Sequence, residues 1–347
     1  MRLKFTKTKQ KPCNTNPIYA SINIKEPDRV FYERSTMNII TVTPNPALDV
    51  HLECVNFSRG EYNKACLISR DSGGKGINLS RALAANSIDS DCLMLLGKEG
   101  ADEFVLPLYN IGMHPECVFT SGRVRENLNI HHSGGDTVIA TSGPIPTAEE
   151  IAELEKLVLS RADSESFVCF AGSIAGGSDK DAFLSMLIKL KERGCRLVID
   201  SKSVSTEELL FLKPYLIKPN EEEAELLTGM RPRDSADALR IASAIRDSGI
   251  ENVMLTMGSA GSVLAADDGE YIATSPSVKV RSTVGAGDSS IAGFLAAKLR
   301  GLDNASALKL AMAYGAAACM SEGSLPPLPE HVALLHYQVA ISKINKM

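Results

Sequence analysis

An α/β domain on a largely parallel central sheet, with helices on both faces and a small second sheet, is the fold class this sequence predicts. Three observations predict it. Short β-branched runs alternate with helical patterns from residue 38 onward, an order that sets strands side by side through helical crossovers. Two stretches, residues 50–70 and 116–141, break that rhythm with extended segments and no intervening helix. A chain of 347 residues, 44% hydrophobic and 23% charged, is also long and apolar enough to bury one large core.

Taken in order, residues 1–36 are rich in Lys, Asn, Thr and Pro with little periodicity, and are expected to form a disordered extension. A targeting peptide is disfavoured because the segment is Lys-rich rather than Arg-rich and contains acidic residues; Met37 would serve equally well as a start. The folded domain is therefore expected over residues 37–347. Strand runs fall at residues 38–43, 92–96, 167–170, 196–200, 215–218 and 252–256, and helical patterns at 76–86, 149–159, 179–191, 234–248 and 289–299. Right-handed crossovers would put those helices on both faces of the sheet. Residues 50–70 and 116–141 would together form a small β-lid, closing over the site to expel water.

Composition excludes several functions. A net charge of −5 and a pI near 5.8 argue against a broad nucleic-acid surface, whose binding is driven by phosphate neutralisation. No apolar run approaches the roughly 18–20 residues that span a bilayer, and the first residues lack the apolar centre of a secretory signal, so the expected location is the cytoplasm. The eight cysteines are scattered without Cys-x-x-Cys or zinc-type spacing, which predicts reduced thiols. His131 and His132 are adjacent in an extended segment and so face opposite ways; they do not ligate one ion easily and are read as structural.

The sharpest chemical signal is Ser282-Thr283-Val284-Gly285-Ala286-Gly287-Asp288-Ser289, followed by the apolar helix positions Ile291, Phe294, Leu295 and Leu299. Glycines at a helix start let backbone N–H groups converge, and the helix dipole adds positive potential there, so charge building on a transferring phosphoryl group would be stabilised. Asp288, in the first turn with its pKa expected to be held low by that dipole, is placed to take a proton from an acceptor hydroxyl. A plain capping aspartate is the alternative reading of the same spacing. A second glycine turn, Ser72-Gly73-Gly74-Lys75-Gly76-Ile77-Asn78, also opens a helix, but it does not fit the Gly-x4-Gly-Lys-Ser/Thr loop of P-loop NTPases.

The string Thr283 to Ser289 closely resembles the catalytic signature of the PfkB-type carbohydrate kinases of the ribokinase-like superfamily, and residues 72–78 resemble that family's other signature. Further matches run from Asn38 almost to the C-terminus. The resemblance implies a three-layer α/β/α ribokinase-like domain with a small β-sheet lid, ATP and Mg²⁺ as cofactors, and a homodimer joined through the lids. Asp288 would be the general base, with Gly285, Ala286 and Gly287 as the anion hole. Thr43-Pro44-Asn45-Pro46-Ala47-Leu48-Asp49 resembles the opening of the branch that phosphorylates hexose phosphates, and Asp49 would bond sugar hydroxyls.

The same resemblance assigns Gly73, Gly74, Asn78, Asn127 and Ser173 to the acceptor, and Lys64, Lys75 and Arg125 to its phosphate, where a planar guanidinium and two ammonium charges would favour a sugar phosphate over a free sugar. Lys218, Asn220, Thr256, Gly258, Gly261, Thr283 and Val284 would contact the nucleotide. Asn220 and Glu223, one helical turn apart, would position Mg²⁺ through water; an acidic first helical turn is their bland alternative. Glu322-Gly323-Ser324 fits the family's late turn by the adenine.

The chain departs from the branch at Ala140-Thr141-Ser142-Gly143-Pro144, at Ala171-Gly172-Ser173-Ile174-Ala175-Gly176-Gly177 and at Arg125-Glu126-Asn127-Leu128-Asn129, where an acidic neighbour is expected to weaken Arg125. The implied reaction is ATP-dependent phosphorylation of a ketohexose monophosphate, fructose 1-phosphate to fructose 1,6-bisphosphate, with tagatose 6-phosphate or fructose 6-phosphate as alternative acceptors. A reading from another class is a catalytically weak sugar-phosphate-binding sensor, which the altered loops suggest and the retained Asp288 opposes.

Overall fold

The computed structural model describes residues 37–344; the extension expected over residues 1–36 lies outside them. The chain opens with β1 (Ile39–Thr43), β2 (Ala47–Glu53), β3 (Cys66–Gly73), α1 (Lys75–Ala85), β4 (Asp91–Glu99) and α2 (Ala101–Asn110). Then come β5 (Glu116–Arg123), β6 (Arg125–His132), β7 (Gly135–Ala140), α3 (Ala148–Arg161), β8 (Phe167–Ala171), α4 (Lys180–Glu192), β9 (Arg196–Asp200) and α5 (Thr206–Leu212). The remainder is β10 (Leu216–Ile217), α6 (Glu221–Thr228), α7 (Ser235–Asp247), β11 (Asn252–Thr256), β12 (Ser262–Ala266), β13 (Gly269–Ala273), α8 (Ala286–Leu299), α9 (Asn304–Cys319), α10 (Pro329–His336) and β14 (Ile341–Ile344).

Among the described residues ten strands form one sheet in the order β14-β13-β12-β11-β10-β9-β8-β1-β4-β5. From β11 to β5 all neighbours are parallel, while β12, β13 and β14 extend the edge in antiparallel fashion. Alternate side chains of a strand point to opposite faces, and here both faces are apolar. Ile40, Val42, Leu197 and Ile199 pack with α3, α4, α5, α6 and α7, whereas Ile39 and Val198 pack with α1, α8, α9 and α10. The result is the three-layer α/β/α architecture expected. α8 is buried on every side from Asp288 to Ala297, as a helix apolar all round must be.

A second sheet, in the order β3-β2-β6-β7, is antiparallel at both edges and parallel at its centre. It begins at Ala47 and runs through Gly73, so it contains Asp49 and the first glycine of the second signature rather than only flanking them. The expected lid segment 116–141 is divided. Residues 116–123 form β5, the edge of the large sheet paired with β4, because Val118 packs into the core beside α3; only residues 125–140 reach the small sheet. The strand expected over 215–218 contracts to Leu216–Ile217. No helix among the described residues is long and apolar enough to cross a membrane.

Candidate active site

The site lies at the carboxyl ends of the parallel strands, where open α/β sheets place their ligands. α8 starts there. Its N-cap, Gly285, has φ 76°, a left-handed conformation that glycine adopts without steric cost. In that turn Ala286 N donates to the Thr283 carbonyl at 3.3 Å and Ser289 N to the Gly285 carbonyl at 2.8 Å. Asp288 is 8% exposed and accepts a 2.9 Å hydrogen bond at Oδ2 from Asn78 Nδ2 on α1. Lys218, also buried, runs alongside, its Nζ 3.0 Å from where a side chain on Gly287 would begin.

The low pKa expected for Asp288 is corrected by its surroundings. Burial, reinforced by the nearby charge of Asp200, pushes it up to about 6; the bond from Asn78 and the charges of Lys75 and Lys218 oppose this without overcoming it. Asp200, at the end of β9, was given no role by the sequence. It binds Lys75 Nζ at 2.6 Å. Burial alone would lower the Lys75 pKa, but Asp200 holds it above the usual lysine range. An acidic residue at the carboxyl end of a parallel strand was the signal available for finding it.

Asp49 projects from β2 and accepts a 2.8 Å hydrogen bond from Asn127 Nδ2 on β6. Burial raises its pKa, against the Asn127 bond and the charges of His51, Arg125 and Arg81. A Cβ on Gly73 would lie 2.0 Å from Asp49 Oδ2, so the carboxylate can stand where it does only because Gly73 has no side chain. Gly74 caps α1. Arg125 donates from Nε to the Pro46 carbonyl at 3.3 Å. Its acidic neighbour does not weaken it: Glu126 points to the other face and binds Arg70 at 2.6 Å and Arg123 at 3.4 Å.

The three cations expected to converge on one phosphate are not gathered into one cluster. Lys75 pairs with Asp200, Arg125 lies beside Asp49, and Lys64 stands exposed between β2 and β3. Ser173 is half-buried in the loop after β8, next to the β9 end through the 3.0 Å bond from Gly172 N to the Asp200 carbonyl.

Among the residues expected to contact the nucleotide, Thr256 N donates to the Pro219 carbonyl at 3.0 Å, bringing the β11 end against residues 218–220. Gly258 and Gly261 form the turn that follows, both with positive φ. Thr283 and Val284 are exposed ahead of α8. Asn220 and Glu223 form a reciprocal capping box at the start of α6, Asn220 Oδ1 accepting from Glu223 N at 2.8 Å and Glu223 Oε2 from Asn220 N at 3.1 Å. Glu223 Oε1 stays outside that box, 3.9 Å from Lys202 Nζ. Among the described residues no three His, Cys, Asp or Glu side chains are grouped to hold a metal. A cavity of about 370 Å³ opens between Asp200, Lys218 and Glu223. Arg81, buried in α1, ties the late turn to this frame by a 3.0 Å bond to the Ser324 carbonyl.

The chain has relatives among known proteins. The 1-phosphofructokinase of Escherichia coli K12 is 30% identical over 299 residues, 86% of this chain and 96% of its own. That of Bacillus subtilis is 28% identical over 284 residues, 82% of this chain and 93% of its own. The Escherichia coli phosphofructokinase-2 structure superposes with a TM-score of 0.80 at 23% identity, covering 87% of this chain and 99% of that one, and so shares the fold. The model of the pfkB family carbohydrate kinases matches residues 47–331. That match takes in nearly every element that carries the site, and the chain therefore belongs to the pfkB family of carbohydrate kinases, as an ATP-dependent sugar-phosphate kinase.

Proposed function

We propose that this kinase transfers the γ-phosphoryl group of ATP to fructose 1-phosphate, giving fructose 1,6-bisphosphate. The observation that carries the reading is the buried Asp288 carboxylate, held by Asn78 at the glycine-capped start of α8, together with relatives named for this acceptor. Asp49 and Asn127 orient the sugar hydroxyls. Asp288 takes the proton of the attacking hydroxyl as its oxygen bonds to the γ-phosphorus and the bond to the β-phosphate oxygen breaks. The N–H groups of Gly285, Ala286 and Gly287 receive the charge that develops, and Lys218 adds a cation that stays in place. Thr256, Gly258, Gly261, Thr283 and Val284 form the nucleotide's contact surface.

Glu223, with Asn220 acting through water, would hold Mg²⁺, whose chemistry is to neutralise phosphate charge. Arg125, beside Asp49, supplies the acceptor phosphate with a cation; Lys64 and Lys75, which lie apart from it, reach that phosphate only by moving, Lys75 by leaving Asp200. The small sheet acts as the lid. Its two edge strands expose Leu67 and Ile68 on β3 and Val138 and Ile139 on β7, which favours pairing of two such sheets in a homodimer, measurable by light scattering. An ADP-release assay over sugars and sugar phosphates tests the acceptor. The highest kcat/KM is expected for fructose 1-phosphate. Preference for tagatose 6-phosphate or fructose 6-phosphate would replace the acceptor, and preference for an unphosphorylated sugar would overturn the reading.

A further inference from the structure

A second cavity, of about 300 Å³, lies where α1, α2, the end of β3 and the turn after α9 meet. None of its lining residues has been given to sugar, phosphate or nucleotide. Its walls are mostly apolar: Pro107, Leu108 and Ile111 come from α2 and its cap, and Leu325 from the turn. Ile111 and Leu325 are exposed, so an occupant would cover apolar surface that water now meets.

Two opposite charges line the same cavity, Arg81 on α1 and Asp71 on β3. Arg81 is 6% exposed. It donates from Nη1 to the Ser324 carbonyl at 3.0 Å and to Ser324 Oγ at 3.3 Å, and from Nη2 to the Ser72 carbonyl. Among the described residues its Nε makes no hydrogen bond, and no carboxylate stands within 4.0 Å of its nitrogens. Burial lowers its pKa, against the charges of Asp71 and then Asp49, which reach it only across a gap. A cation taken out of water is costly unless an anion meets it, and carbonyl and hydroxyl dipoles meet it only in part.

Asp71 is left in a matching state. Its Oδ2 accepts from Ser69 Oγ at 2.9 Å and lies 3.8 Å from His51 Nε2. Its Oδ1 accepts no hydrogen bond among the described residues.

These features select the ligand. The volume is at the small end of ligand sites and admits one compact molecule. An anion alone on Arg81 would be repelled by Asp71, and a cation alone on Asp71 would be repelled by Arg81. A zwitterion with neighbouring carboxylate and ammonium groups satisfies both and brings no net charge into the site, through charge-assisted hydrogen bonds of the stronger kind. An apolar side chain beside those groups would be taken up by the walls from α2 and the turn. We propose that this cavity binds a free apolar α-amino acid, its carboxylate on Arg81 and its ammonium on Asp71. Arg81 lies one helical turn after Asn78, the donor to Asp288, so the ligand sits on the helix that steadies the proposed base. The site does not depend on which sugar phosphate is the acceptor.

Calorimetry on the full-length enzyme tests this, with L-valine, L-leucine and L-phenylalanine as probes. At least one is expected to bind with a Kd of about 1 mM or tighter. Analogues lacking one charged group, for leucine 4-methylpentanoate and 3-methylbutylamine, are expected to bind about ten-fold more weakly. Asp71→Asn, at a partly exposed position, should weaken the amino acid about ten-fold and leave the analogue without the amine unchanged or tighter. Ala84→Leu, which fills the cavity from α1, should abolish binding in an enzyme whose circular dichroism matches the wild type. No saturable heat from any of the three amino acids up to about 10 mM would overturn the site. An analogue binding as tightly as its amino acid, or unchanged amino-acid binding in Asp71→Asn, would overturn the zwitterion. Wild-type binding in a folded Ala84→Leu enzyme would overturn the location.

Discussion

The start of α8 and the face of the small sheet solve opposite problems with the same residue type. Asp288 is enclosed by the core, accepts a hydrogen bond from Asn78, and is left with a pKa raised to about 6. Asp49 is also buried, which raises its pKa too, but the Asn127 bond and the charges of His51, Arg125 and Arg81 oppose the rise. A base benefits from a pKa near the working pH, since it must both hold and release a proton. A recognition carboxylate is useful only as a constant acceptor. The contrast predicts that changes at α8 act on turnover and its pH dependence, and changes on the small sheet act on acceptor KM.

The largest break in that comparison is Asp288→Asn. Loss of the base is expected to lower kcat about 10²- to 10⁴-fold, while ATP affinity, measured by calorimetry, stays within a few-fold because the anion-binding backbone remains. The same variant reads the pKa through stability. Asp288 holds its proton more tightly folded than unfolded, so its contribution is present at low pH and lost as pH rises through about 6. The melting temperature of Asp288→Asn should exceed that of the wild type above pH 6 and converge with it below pH 4.

Next comes the wild-type pH profile. The base must be ionised to act, so kcat/KM is expected to fall with a limb at about 6, approaching ten-fold per pH unit. A limb near 4 would place the burial argument in error. Arg125→Ala should raise acceptor KM about ten-fold and leave ATP affinity nearly unchanged, as steady-state kinetics would show; an unmoved KM would put the phosphate grip elsewhere. The smallest effect on turnover is expected of Gly73→Ala. Its methyl group would meet the Asp49 carboxylate, costing about 1–3 kcal/mol in chemical denaturation and raising acceptor KM with little change in kcat.

Much of the frame was legible because it depends on local pattern. The parallel strands read as β-branched runs, and both glycine signatures fall where the sequence put them, at the starts of α1 and α8. The antiparallel edge was not legible: β12 and β13 are five residues each, and the first, Ser-Val-Leu-Ala-Ala, is buried throughout and so shows no alternation. α9 escaped for the same reason in helical form, being apolar on all sides. At the site, residue identities were readable but environments were not. The pairing of Lys75 with Asp200 spans 125 residues, and the Asp288 pKa follows from a burial that no local pattern records.

The single residue between the small sheet and α1 links the two regions mechanically. β3 ends at Gly73, Gly74 intervenes, and α1 begins at Lys75. Asn78, the donor to Asp288, lies one helical turn further on. So short a joint has no slack: a tilt of the sheet large enough to move Asp49 against a bound sugar must be absorbed at Gly74 or passed along the helix to the amide that steadies the base. On the roles proposed for Asp49 and Asp288, acceptor seating and base alignment are two ends of one lever whose pivot is a glycine.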